Sequence, residues 1–443
     1  MPTLWKHQRR LVDWAHAHPR SFWGAGMGSG KTASALTLAQ ELKATLTLVG
    51  CPKAVIPAWE AQAAVWHPKA NVVRLDGKGT ALERCERALR QIDRRRQNIL
   101  VGNYESIWRM PALLKINFDL LVCDECHKLK AHRGKAAKFF AKLSAAATKV
   151  VGLSGTLLGQ EPIDAFGVYR ACGLANRFPR TLGAFQQKFC VMNPRVRGWV
   201  MGYKNLDEFT EIIAKDTMRI RTEDVIDLPP RVHTHLPVEL SHKEALAYQN
   251  LRDELVHSDG TKAILVENKL VLVLRLLQAC SGHVRWDMSD APEKIVDVPS
   301  KAAALADVAD GIDGPFVVFY RFTAECDDIK AALKGKKVGE LSGKCNDLAA
   351  FQGGLLDVLA VQIAAGGTGI DLTRASHAIY YSGSPSLTDM DQSYARLHRP
   401  GAAGTVFITH LVARLPSKPS VDELLYRGLQ SKGDLIESIL SEI

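Results

Sequence analysis

The amino-acid sequence predicts an α/β protein of two successive lobes, each built on a parallel β-sheet and each bearing a helical protrusion. Three observations carry that expectation. Short runs rich in Val, Ile and Leu alternate with amphipathic segments, which is the pattern of parallel strands joined by crossover helices. The runs fall into two sets, TLTLVG, NILVGN, LLVCD and KVVGLS up to Ser154, then PFVVFY, VLAVQI, HAIYYS and TVFITHLV from Pro315 onward. Between them, from about Gly159 to Val296, lies a stretch with mostly helical apolar spacing, so one sheet does not easily absorb both sets.

Within that stretch, Pro229 and Pro230 cannot continue a helix and favour an extended connection. The boundary is placed there, giving lobes over residues 1–228 and 229–443. LDEFTEIIAKDTMRIR before it, and HKEALAYQNLRDEL and KLVLVLRLLQAC after it, have helical spacing and are assigned to the protrusions. No repeat at solenoid spacing and no low-complexity segment interrupts the pattern.

The 443 residues are 47% hydrophobic and 23% charged, enough for full cores and unlike a disordered chain. Lys and Arg exceed Asp and Glu by 57 to 47, and the net charge of +10 suits a polyanionic partner. The excess is spread along the chain; short clusters such as Arg94 to Arg96, or Lys334, Lys336 and Lys337, form no tail. No apolar run approaches the roughly 20 residues that span a bilayer, and the opening segment mixes charges with apolar residues. A soluble, cytoplasmic protein with no membrane partner is expected. Nine scattered cysteines read as reduced core thiols.

GAGMGSGKT, Gly24 to Thr32, follows a short apolar stretch and precedes the helix-forming ASALTLAQEL. This is a phosphate-binding loop, in which Gly28, Ser29 and Gly30 shape backbone N–H groups around phosphate oxygens. Lys31 reaches the terminal phosphates of ATP, and Thr32 can ligate Mg2+. Ala25 stands where the strict pattern has Gly. LLVCDECH, Leu120 to His127, is the complementary half: an apolar strand ending in two acids, Asp124 to hold Mg2+ through its water shell and Glu125 to orient the attacking water. The same letters spell the CxxCH of c-type haem attachment, but an apolar strand running into two carboxylates is no accessible attachment loop. Zinc is not expected either, since Cys280 and His283 are the only other close pair.

In the second half, Gly366, Gly367 and Gly369 permit a tight path after VLAVQI, where Thr368 can meet a phosphate. Arg396 and Arg399 follow Gln392 and lie three apart, so a continuous helix would present them on one face, suited to a γ-phosphate. His16, His18, His233 and His235 lack a ligand cluster, and the tryptophans Trp5, Trp14, Trp23, Trp59 and Trp66 are assigned mostly to the core.

Taken in order, these motifs resemble superfamily-two helicases, and among them the Swi/Snf-type DNA translocases in a compact phage or bacterial form. LWKHQRRLVDW is similar to the family's adenine-recognition segment with Gln8 at the glutamine position, and MGSGKT resembles its MGLGKT loop. VGCPKAVIPAWE, with Lys53, and VGNYES, with Tyr104, resemble its strand-contacting segments. DECHKLK departs from DEAH at Cys126 and keeps Lys128 and Lys130, while GLSGTLL matches the element in which Ser154 and Thr156 link nucleotide to DNA. RIRTEDVIDLPP and LLQACSGH resemble the family's lobe-connecting and second-lobe signatures. AAGGTGIDLT and DQSYARLHRPG resemble the closing motifs.

The resemblance implies two tandem RecA-like lobes and a DNA-dependent ATPase using ATP and Mg2+. It implies Gly369, Asp371 and Gln392 at the nucleotide, Arg396 and Arg399 as fingers, and Lys53, Tyr104, Lys128, Lys130, Ser154, Thr156, Arg321, Gly367 and Thr368 at DNA. The expected activity is translocation on double-stranded or branched DNA, remodelling or reannealing it in replication, recombination or repair in a bacterial or phage-infected cytoplasm. Replication or recombination proteins are the expected partners. A strand-separating helicase shares almost every motif, and a binding protein switched by ATP is the third reading; the intact Lys31, Asp124, Glu125, Arg396 and Arg399 oppose the latter.

Overall fold

The computed structural model describes residues 2–26, 28–155, 162–193, 200–220, 231–257, 266–284, 292–364, 370–398, 404–416 and 418–431. The chain divides into two compact units, Met1–Asp227 and Leu228–Ile443. Among the described residues no helix is long and apolar enough to cross a membrane.

The first unit begins with helix α1 (Lys6–Ala17), then strand β1 (Arg20–Ala25), helix α2 (Lys31–Glu41), β2 (Leu46–Cys51) and helix α3 (Ile56–Trp66). Strands β3 (Asn71–Arg74), β4 (Asn98–Asn103), β5 (Leu120–Asp124) and β6 (Lys149–Ser154) follow, then a short antiparallel pair, β7 (Cys190–Met192) with β8 (Val200–Tyr203), and finally β9 (Thr217–Ile220). The main sheet has the order β3-β4-β2-β5-β6-β1-β9, with every pairing parallel.

Successive strand residues enter opposite cores, as the period of two requires. Phe22, Leu48, Leu100, Leu121 and Val150 pack on one face. Trp23, Val49, Val101, Val122 and Val151 pack on the other. Burial on both faces is why these strands are nearly continuous apolar runs.

The stretch after β6 is only partly helical. Helices Pro162–Ala171, Leu182–Phe189 and Leu206–Asp216 form a protrusion whose Phe178, Phe185, Phe189 and Phe209 rings meet one another. The Thr217–Ile220 tetrapeptide, expected to continue a helix, is instead β9, paired with β1 from Phe22↔Thr217 to Ala25↔Ile220. Its helical spacing yields to a tertiary partner, an open strand edge that the sequence window does not contain.

The second unit carries β10 (Arg231–Glu239), the two-residue pair β11 (His283–Val284) and β12 (Glu293–Lys294), then β13 (Phe316–Tyr320), β14 (Val338–Leu341), β15 (Val358–Gln362), β16 (His377–Tyr380) and β17 (Val406–Arg414). Its sheet has the order β10-β17-β16-β13-β15-β14, again parallel throughout. Edge strand β14 holds a Gly and a Glu and so showed no apolar run. A buried ion pair fastens the helix Val421–Ser431 to the helix Ser300–Asp310: Lys301, 1% exposed, donates to Asp422 at 2.6 Å and to the Tyr381 carbonyl at 2.8 Å.

Candidate nucleotide site and the residues around it

A parallel sheet brings the ends of its strands to one edge, and in the first unit that edge gathers the loop after β1, Lys53 after β2, Tyr104 after β4, Asp124 to Lys130 after β5, and Ser154 at the end of β6. Crevices at that edge are where open α/β sheets take ligands.

The loop after β1 needs glycine. Gly28 and Gly30 have φ of 75° and 78°, the left-handed region, and Gly30 caps α2. A Cβ on Gly30 would lie 2.1 Å from Gln8 Nε2. Gln8 is buried against the loop: its Oε1 accepts from the Trp5 N–H at 2.9 Å and its Nε2 donates to the Ser29 carbonyl at 3.3 Å. His7 Nε2 meets the same carbonyl at 3.0 Å. Ser29 Oγ donates to the Gly26 carbonyl at 2.7 Å, which closes the loop on itself. Lys31 Nζ donates to the carbonyls of Ala25 at 2.7 Å and Gly26 at 3.0 Å. Burial lowers the Lys31 pKa, against the pull of Glu125 and Asp124. Thr32 follows in the first turn of α2.

The end of β5 holds both acids in the interior, each 6% exposed. Glu125 sits at φ 50°, a left-handed conformation rare outside glycine, turning the chain sharply away from Asp124. Burial, and then the neighbouring Glu125 charge, push the Asp124 carboxyl up to about 6, with Trp59 and Lys31 pulling the other way. For Glu125 burial also disfavours the charge, but the His127 ring 3.3 Å away, Lys31 and Lys128 outweigh it and lower its pKa. Two adjacent carboxyls thus have environments that separate their behaviour.

Magnesium fits this donor set. Asp124 Oδ2 accepts from the Trp59 indole at 2.8 Å, which fixes the carboxylate's orientation, and the charge of a cation there would offset burial of the carboxylate. Among the described residues no cluster of three His, Cys, Asp or Glu side chains could hold a metal, so a cation here would rely on one carboxylate, the Thr32 hydroxyl, water and substrate phosphates. Cys123 and Cys126 are fully buried core residues.

The remaining expected residues divide. Lys53 and Lys128 are exposed, and Lys130 is exposed with an ion pair to Asp164 at 3.1 Å. Tyr104 and Ser154, expected at DNA, are 2% and 4% exposed. The Tyr104 hydroxyl points inward and donates to the Asp124 carbonyl at 2.6 Å. In the second unit Arg321 donates to Ser384 Oγ at 2.7 Å. Asp371 accepts from the N–H and hydroxyl of Thr373, closing a tight turn. Gln392 is half-buried on the helix Leu387–Leu397, and Arg396 is 3% exposed there. That helix ends at Leu397, so the helical face expected to join Arg396 to Arg399 stops short. Arg399, Thr156, Gly367, Thr368 and Gly369 lie outside the described residues.

Sequence reasoning missed Trp59, placed in the core without a role. Its helix buries Ile56, Trp59 and Ala63 on one stripe, which explains the packing, but the indole N–H finds its acceptor 65 positions later, beyond any local pattern.

The parallel sheet, phosphate loop and paired acids define an ATPase of the helicase type. The chain belongs to the SNF2-related domain family, whose model matches residues 7–285. It is therefore an SNF2-family ATP-dependent helicase or translocase. It is 26% identical to putative protein p41 of Acyrthosiphon pisum secondary endosymbiont phage 1, over 98% of this chain and 97% of that protein. It is 22% identical to the Caenorhabditis elegans homolog of SWI/SNF-related matrix-associated actin-dependent regulator of chromatin subfamily A-like protein 1, covering 93% of this chain but 58% of the relative. Among solved structures, the Sulfolobus solfataricus SWI2/SNF2 ATPase core in complex with dsDNA aligns over 99% of this chain and 95% of its own, at 20% identity and a TM-score of 0.46.

Proposed function

We propose that the chain is an ATP-driven motor that translocates on double-stranded DNA and remodels or reanneals branched structures. The observation that carries the reading is the shared edge of the first sheet, where Lys31, Asp124 and Glu125 stand beside the exposed Lys53 and Lys128. Family membership makes nucleotide the substrate on one side of that edge, and the lysines make a phosphate backbone the natural partner on the other.

In this reading Lys31 holds the terminal phosphates of ATP within the backbone cradle of Gly28, Ser29 and Gly30. Thr32 and Asp124 hold Mg2+, which when bound supplies charge to the transferring phosphoryl group. Glu125, kept ionised by His127, Lys31 and Lys128, orients the attacking water. Gln8 fixes the loop's shape through Ser29. Asp371, Gln392, Gly369, Arg396 and Arg399 are the proposed second-unit contributors to nucleotide binding and charge neutralisation. Lys53, Lys128, Lys130, Arg321, Thr156, Gly367 and Thr368 are the proposed backbone contacts, indifferent to base sequence. A bacterial or phage-infected cytoplasm, with replication or recombination proteins as partners, completes the proposal.

Strand separation is the competing reading, and the antiparallel β7/β8 pair favours it. This element stands outside the main sheet with Val191 45% and Met201 57% exposed, apolar surface of the kind a wedge requires. ATP turnover measured with no nucleic acid, single-stranded DNA, duplex DNA, branched DNA and RNA separates the two. Duplex or branched DNA should stimulate most, with binding that falls steeply as salt rises, about 0.9 in log–log slope per phosphate contact. Stronger stimulation by duplex-free single strands would reject translocation on duplex in favour of strand separation.

A further inference from the structure

Asp124 is gripped twice, and both grips come from segments that also reach the exposed edge of the sheet. Its carboxylate Oδ2 accepts from the Trp59 indole at 2.8 Å, and its main-chain carbonyl accepts from the Tyr104 hydroxyl at 2.6 Å. Trp59 lies on the first turn of α3, directly after the short 3₁₀ turn Lys53–Val55 that carries the exposed Lys53. Tyr104 opens the short helix that leaves β4, its ring edge-on to Phe140 at 5.0 Å. The space for that ring is reserved: a Cβ on Gly50 would come within 3.0 Å of Tyr104 and 2.5 Å of Phe140.

Trp59 and Tyr104 are 1% and 2% exposed, and their rings would fill the core whether or not the indole N–H and the phenol O–H were paired. What the indole N–H adds is a fixed carboxylate rotamer: with Oδ2 held at the indole, the way the carboxylate faces a cation is set. What the phenol adds is a fixed height for the backbone at the point where Glu125 turns into its left-handed conformation.

We propose that Trp59 and Tyr104 are positioning residues that connect the strand-contacting segments at Lys53 and after β4 to the metal-binding carboxylate, so that DNA engagement sets the aim of Asp124. The proposal rests on the nucleotide-site and DNA-motor reading above. A strand phosphate drawing on Lys53 moves α3 as a rigid piece, and the indole carries that movement to Oδ2 within six residues of chain.

The test uses the full chain with Tyr104→Phe, which keeps the ring and removes only the donor, and Trp59→Phe, which removes the indole donor together with part of the buried ring. Three quantities are read: the gain in fluorescent ATP-analogue affinity between EDTA and Mg2+ without DNA, the ratio of kcat with and without duplex, and the dissociation constant for duplex. Trp59→Phe should cut the Mg2+-dependent gain about tenfold, the worth of one hydrogen bond to a charged acceptor, with affinity in EDTA unchanged. Both variants should lose about tenfold in duplex stimulation while binding duplex as the wild type does, whereas Lys53→Ala should lose duplex affinity instead. Wild-type Mg2+ gain in Trp59→Phe, or wild-type stimulation in both variants, would overturn the proposal. If Trp59→Phe does not fold, Tyr104→Phe decides through stimulation. A wild-type enzyme that no DNA stimulates sinks the motor reading, and the Mg2+ gain then judges the positioning role by itself.

Discussion

Replacing Asp124 by Asn removes a charge that the fold keeps in its interior, and the consequence for stability has a definite sign. The carboxyl is lifted from its ordinary 3.8 to about 6, chiefly by burial and then by Glu125. Because the folded value lies above the unfolded one, the penalty is complete above pH 6, shrinks as pH falls, and is gone below about 3.8. At about 1.4 kcal/mol per pH unit, the ceiling at pH 8 is about 3 kcal/mol. At pH 5 it is about half that. Asn keeps an oxygen for the Trp59 indole, and Lys31 keeps Glu125 as its compensating charge. For a unit of the size Met1–Asp227, where 1 kcal/mol moves Tm by about 2–4 °C, Asp124→Asn should melt on the order of 5 °C higher at pH 8 and show a smaller gain at pH 5. Differential scanning fluorimetry in EDTA without nucleotide reads this directly. An Asn variant that melts at or below the wild type at pH 8 would show that attraction to Lys31 outweighs burial, and the reasoning would fail.

Lys31→Ala should weaken ATP binding at least about tenfold, while Glu125→Gln should bind ATP and hydrolyse it about 10² to 10⁴ times more slowly; equal loss of binding in both would refute this division of labour. Gly30→Ala should abolish nucleotide binding because φ of 78° and the 2.1 Å approach to Gln8 Nε2 oppose any side chain. Fluorescence titration reads this, and a variant with wild-type affinity contradicts the loop geometry. Lys301→Ala leaves Asp422 as an uncompensated charge in the interior and should cost about 3–5 kcal/mol in urea unfolding. A cost below about 1 kcal/mol would mean that water reaches Asp422.

Much of the scaffold was legible because burial on both faces forces apolar strands. LLVCD and KVVGLS lie at the middle of the first sheet, and PFVVFY occupies the equivalent interior of the second. The phosphate loop was equally plain, since Gly28 and Gly30 adopt the left-handed angles that their residue type permits. What escaped notice depends on partners far along the chain. TMRI becomes a strand because β1 offers an open edge, and Tyr104 turns inward because Gly50 leaves room for it. Arg396 carries its charge in a nearly buried position, which helical spacing cannot distinguish from an exposed face. The motif residues were thus legible from their chemistry as candidates, while their buried partners Trp59 and Tyr104 were hidden by sequence distance.

The position of β1 has a consequence for how the molecule is made. Phe22 pairs with Gly152 on one side and with Thr217 on the other, so the first strand of the main sheet is flanked by the last two strands of that sheet. Contacts of such long range form slowly, since each closes a large loop before any pairing stabilises it. Until then Phe22 and Trp23 have no sheet to shelter them, and the glycine loop beyond them has no rigid strand from which to curve. The loop that leaves β1 is therefore seated beside Asp124 only once β6 has been made and paired with both β1 and β5, long after its own residues exist.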